Sequence, residues 1–136
     1  MIPCAMVTNK DIYDSALRML AESCVEGDND DYEERAPYLL AAFCTEAEDT
    51  DKALRQILSE PEGACFNAVY VPLNEQFPLL DRFSAAAAFY LAAMLVIDDN
   101  RELSDTLYDK YSDSMSRLCA SVPALSGSIS DRYYFS

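Results

Sequence analysis

Along the chain, apolar positions recur at the three- and four-residue steps of a helix in four stretches, and one stretch between them breaks the rhythm. The most uniform stretch is Ser84–Ile97, Ser-Ala-Ala-Ala-Ala-Phe-Tyr-Leu-Ala-Ala-Met-Leu-Val-Ile. It carries no charge, Gly or Pro, and beyond Ser84 every residue is apolar or aromatic. A helix that is apolar on all sides belongs inside a fold, and this run is shorter than the roughly 20 residues a membrane span needs. It is expected to be a buried central helix within residues 79–98. Its alanines would let neighbouring backbones approach, while Phe89, Leu91, Met94, Leu95 and Ile97 supply bulk and Leu91, Met94 and Leu95 lie deepest. Asp81 is its candidate cap, and Asp98-Asp99-Asn100 ends it.

The other elements follow in chain order. Thr8 or Asn9 can cap a first helix over residues 9–25, with Asp11 in its first turn, Ile12, Ala16, Met19, Leu20 and Cys24 at helical spacing, and Gly27 as the stop. A second helix is expected over 31–48, with Tyr38, Leu39, Ala42, Phe43 and Ala47 as its core face. Pro37 inside it implies either a fresh start or a kink. The polar stretch Glu46–Lys52 interrupts that pattern, and Ala53, Leu54, Ile57 and Leu58 either continue it or form a separate turn. After the central helix, Asn100 caps a fourth helix over 100–120. Its stripe is Leu103, Leu107, Tyr111, Met115, Leu118 and Cys119, with charged residues opposite. The last two helices are expected to form an antiparallel hairpin.

Two stretches fall outside this scheme. Ser59–Leu80 is irregular, punctuated by Pro61, Gly63, Pro72 and Pro78, with a weakly alternating Phe66–Val71 inside it. So long a connection is either a strap over the core or a binding segment. Its candidate interaction residues are Phe66, Val69, Tyr70, Val71 and Leu73. The tail from Ser121 ends in Asp-Arg-Tyr-Tyr-Phe-Ser, although chain ends are usually polar. Ile129, Tyr133, Tyr134 and Phe135 therefore either fold back on their own domain or anchor on another chain, as interface aromatics do. The organisation expected is all-α: a single small four-helix domain over residues 1–120 and an extended tail over 121–136.

Composition narrows the function classes. Against 24 acidic residues stand 10 basic ones, for a net charge of −14. Phosphate-binding surfaces need clustered Lys and Arg, and anionic membranes repel acidic proteins. The chain is expected to avoid nucleic acid and membranes, or to meet a basic partner. Its five cysteines are widely spaced, without a C-x-x-C pair, and there is no histidine. That disfavours a zinc site and excludes His-assisted nucleophiles. Buried cysteines in a reducing cytoplasm are the expectation. The start of the sequence lacks the basic and apolar regions of a signal peptide, so the protein is expected to be cytoplasmic when made. Asp28-Asn-Asp-Asp-Tyr-Glu33 is superficially like a calcium loop but lacks the glycine and the closing glutamate such loops need. No phosphate loop or catalytic motif is present. No cofactor, metal or enzymatic activity is expected.

Several stretches together resemble the head–tail connector, or neck adaptor, proteins of tailed phages and prophages. They are the opening helix Asn9–Leu20, the segment Tyr32-Glu-Glu-Arg-Ala-Pro-Tyr-Leu-Leu-Ala-Ala-Phe-Cys-Thr-Glu46, and Val71-Pro-Leu-Asn-Glu through Leu118. The last combines an Ala-rich Tyr-Leu-Ala-Ala helix, an acidic turn and Leu-Tyr-Asp-Lys-Tyr111. The closing Ile129-Ser-Asp-Arg-Tyr133 is similar too. Ala41-Ala42 departs from the pattern, where an Asn would be expected. The resemblance implies a virion structural protein that assembles head to tail into a homo-oligomeric ring between the portal and tail-side neck proteins. DNA would pass through without specific binding, which an acidic lumen favours. The alternative class is an acidic helical interaction protein, or a DNA mimic that binds a basic protein partner.

Overall fold

The computed structural model describes residues 7–20, 29–63 and 65–122, with Asn29 and Asp30 described by backbone alone. Its four helices are α1 (Asn9–Met19), α2 (Asn29–Leu58), α3 (Ser84–Val96) and α4 (Arg101–Ala120). A 3-10 turn, Asp81–Phe83, leads into α3. Among the described residues there is no strand beyond an isolated bridge between Thr8 and Gln76, so the domain is all-α.

Local chemistry sets the helix ends. Thr8 and Asp11 form a reciprocal capping box at α1: Asp11 N–H donates to Thr8 Oγ1 at 3.1 Å, and Thr8 N–H to Asp11 Oδ2 at 3.0 Å. The Thr8 N–H first, and then the Thr8 hydroxyl, hold the Asp11 carboxyl below its ordinary pKa. The helix ends at Met19, earlier than its pattern suggests; Cys24 and Gly27 lie outside the described residues. Asn100 caps α4, its Oδ1 accepting from Leu103 N–H at 3.0 Å. No side chain caps α3. Asp81 instead opens the 3-10 turn, whose carbonyl receives the Ser84 N–H, so the turn supplies the first bond that a cap would. The end of α2 is a Schellman motif: Glu60 N–H donates to Arg55 O at 2.8 Å and Ser59 N–H to Gln56 O at 3.3 Å, with Ser59 at φ 58°.

The second helix is one continuous element of 30 residues, about 45 Å long. Pro37 lies within it, and the polar stretch Glu46–Lys52 does not interrupt it. Its buried stripe is Tyr32, Ala36, Leu40, Phe43, Cys44, Ala47, Asp51 and Leu54. The face expected from sequence is thus displaced: Tyr38 and Ala42 are exposed and Leu39 is half-buried. The reason is physical. Steps of three and four that start at Tyr32 pass through Asp51, and a buried aspartate makes the stripe look broken.

Against α2 packs α3, which buries Ala86, Ala87, Ala88, Leu91, Ala92, Ala93, Leu95 and Val96. Met94 is only half-buried, as are Phe89 and Ile97. Residues 97–100 connect α3 to α4, and successive residues of α4 meet earlier residues of α3. The buried Ser104 Oγ donates to Ala93 O at 2.8 Å, and the Tyr111 ring lies 5.1 Å from that of Tyr90. Leu107, Tyr111 and Leu118 are buried, and Val122 joins the same core although the pattern assigns it to the tail. Cys119, counted in the stripe, is exposed, as is Cys65; Cys44 is the described cysteine that is buried.

Residues 59–80 form a strap. From Arg55 it runs back along α2, and Val71 N–H donates to Pro37 O at 3.2 Å. It then crosses to the start of α1, where Lys10 N–H donates to Leu73 O and Asn9 N–H to Glu75 O, both at 2.9 Å. Phe77 stacks on Phe43 with centroids 6.5 Å apart. Both strap ends are held by one ion pair, Arg55 Nε to Asp51 Oδ2 at 2.8 Å, with side chains 13% and 4% exposed. Asp51 Oδ1 accepts from Leu80 N–H at 2.8 Å, while Arg55 donates to Pro61 O at 2.8 Å and Pro78 O at 3.3 Å. Gly63 leaves room for the guanidinium; a Cβ there would sit 3.1 Å from it.

Asp51→Ala should destabilise the fold by about 3–5 kcal/mol, because it strands a buried guanidinium and a strap N–H. The paired change Asp51→Leu with Arg55→Met should cost less than the single one; urea unfolding measures both. Leu95→Asp places an unpaired charge in the core and should cost about 4 kcal/mol or more. An unchanged melting temperature would refute the buried position of α3.

Candidate interaction surface

The five strap residues picked out by sequence divide by their backbone anchors. Val71 is buried, and Phe66 and Leu73 pack partly buried against the core. Those three hold the strap down. Val69 and Tyr70 point outward, 66% and 40% exposed. Asn67 Oδ1 accepts from Val69 N–H at 2.7 Å, a local turn that precedes the anchor at Val71. Ile129, Tyr133, Tyr134 and Phe135 lie outside the described residues.

Tyr38 completes the surface. It is 53% exposed on α2, and its ring meets that of Tyr70 edge to face, centroids 5.0 Å apart at 68°. The juxtaposition follows from the bond at Pro37, which brings the strap alongside the first part of α2. Sequence periodicity placed Tyr38 in the core face. Its true position was signalled by Tyr32 and Ala36, which share a stripe that leaves Tyr38 outside.

Grooves mark the rest of the described surface. A groove of about 620 Å³ lies between the end of α2 and the returning strap, lined among others by Leu58, Pro61, Phe77 and Arg82. A second, of about 510 Å³, lies on α3 and α4 beside Met94, Ile97, Arg101 and Tyr108. Among the described residues no three Cys, Asp or Glu side chains converge to hold a metal ion, and no helix is long and apolar enough to cross a membrane.

At the edge of the core, three aromatic rings meet an exposed carboxylate, Glu46. Phe43, Tyr90 and Tyr111 pack mutually with centroids 5.1–6.1 Å apart, and Tyr111 Oη donates to Glu46 Oε1 at 3.1 Å. Burial raises the Tyr111 phenol, reinforced by the Glu46 charge, and the same causes raise Tyr90. Burial, then the charges of Asp51 and Glu48, push the Cys44 thiol up to about 12. This cysteine is a core residue rather than a nucleophile.

Comparison of the chain with protein-family models, with curated proteins and with solved structures finds no match in any of the three.

The raised Cys44 thiol and Tyr111 phenol make the fold less stable at alkaline pH. An unfolded thiol or phenol ionises near its ordinary value, 9.0 or 10.0, while the folded one resists. Their contribution to stability is therefore intact below about pH 9 and is lost as pH rises through the folded values. Tyr111→Phe should flatten that alkaline decline. Near neutrality it should cost about 0.5–1.5 kcal/mol for the lost bond to Glu46. Urea unfolding at neutral and alkaline pH compares the two; an equally steep decline in the variant would refute the assignment.

Proposed function

We propose that the chain is a structural protein of the head–tail connector kind. It works by contact with other proteins and assembles in copies into a ring through which DNA passes. The sequence resemblance supplies the assembly. The observation that carries a contact function is the trio Tyr38, Val69 and Tyr70, an exposed apolar patch on an otherwise acidic surface. Head-to-tail assembly needs two different complementary surfaces per copy. The grooves at the α2 end and on the α3–α4 pair are available for that, which leaves the aromatic face for a different protein. An acidic inner wall would repel phosphates and let DNA slide.

A second reading, an acidic interaction protein that mimics DNA, is favoured by the carboxylates exposed along α2, among them Glu33, Glu34 and Asp49. Native mass spectrometry of the full chain at low and high salt, alone and with a candidate portal protein, separates the two. Screening of the mutual repulsion, or the portal as template, should yield one closed ring of many copies. A chain that stays monomeric throughout and instead binds a basic nucleic-acid enzyme would overturn the connector reading in favour of the mimic.

A further inference from the structure

The Tyr38–Val69–Tyr70 face has an electrostatic setting that selects its occupant. Glu34 lies one helical turn before Tyr38 and Ala42 one turn after, both exposed on the same side of α2. The cations of α2 that could neutralise this side are engaged elsewhere. Arg35 donates to Asp31 Oδ2 at 3.1 Å and to Leu95 O at 3.0 Å, Lys52 pairs with Glu48 at 3.6 Å, and Arg55 is committed to Asp51 and the strap. Two tyrosine faces and a carboxylate with no ion pair formed by its own helix are thus presented together.

We propose that this face docks an arginine-bearing, partly apolar segment of a basic partner protein. A guanidinium suits it because the planar group stacks on tyrosine and bonds to a carboxylate at once. The segment's apolar side chains would cover Val69 and Ala42. A second copy of the chain fits less well, since each copy carries −14 and the face is itself acidic. The inference rests on the contact-protein reading but not on ring formation.

The test uses the full chain and a labelled synthetic peptide alternating Arg and Leu, with Lys and Glu versions as controls, read by fluorescence anisotropy. The Arg peptide should bind best and the Glu peptide not at all. Tyr38→Ala with Tyr70→Ala should weaken binding about tenfold, the scale of two exposed cation–aromatic contacts, while Tyr38→Phe keeps it. Glu34→Gln should weaken it more than Glu102→Gln on α4. Both tyrosines are exposed, at 53% and 40%, so a melting temperature within a few degrees of wild type is expected to show that the variants fold. Equal binding by the double tyrosine variant, or equal effects of the two glutamate changes, would overturn the proposal in favour of diffuse charge attraction. If wild type ignores every peptide but loses its oligomer on tyrosine truncation, the occupant is a second copy and the proposal is overturned. Tyrosine-dependent peptide binding by a chain that never oligomerises would uphold the proposal and sink the ring.

Discussion

The Asp51–Arg55 pair is the constraint on which the surface depends. Both charges are inside the protein, and two buried charges are tolerated only when their remaining donors and acceptors are also matched. Here the matching groups belong to the strap: two carbonyls, Pro61 and Pro78, and one N–H, Leu80. The strap satisfies the ion pair and the ion pair fixes both ends of the strap. Since the ends are fixed, the middle must travel along α2 and back. That path sets Tyr70 against Tyr38.

A second set of polar contacts ties the other half of α2 to the α3–α4 connection. Arg35 bonds to the Leu95 carbonyl near the end of α3, where a helix lacks donors and favours positive charge. Tyr32 donates to Asp99 Oδ2 at 2.9 Å within the connecting turn. Apolar packing brings these elements together, but it does not fix their register as tightly. The alanines of α3 would let a neighbour slide, and directional bonds from Arg35, Tyr32 and Ser104 oppose that.

The four helices were legible in the sequence because they rest on local signals such as a cap at Thr8 or Asn9 and the Asn100 cap; the prolines at Pro61, Pro72 and Pro78 marked the segment between as irregular but left strap and binding segment equally open. What was misread depended on distant partners. Asp51 looks like solvent-exposed polarity until Arg55 and Leu80 are seen around it, and that made α2 look broken at Glu46–Lys52. Cys119 completes a stripe on a wheel, yet its thiol is exposed at the margin of the α2–α4 contact, 3.7 Å from Thr50 Oγ1. Of the candidate surface, Val69 and Tyr70 could be found from composition. That Val71, Phe66 and Leu73 turn inward depends on backbone bonds to Pro37 and Lys10 that no pattern encodes.

The strap also bears on the order in which the chain folds. Ser104 and Ala93, which join α3 to α4, are 11 residues apart, whereas the contacts that close the strap span 29 residues from Asp51 to Leu80 and 63 from Asn9 to Pro72. Contacts between distant residues carry the larger loop-closure cost and tend to form later. The α3–α4 pair can thus form early from local contacts, while the strap settles onto a core already built. Tyr38 and Tyr70 come from two sides of that last closure. The pairing of the two rings therefore depends on closure of the strap: a chain whose strap is not seated carries both tyrosines but does not present them together.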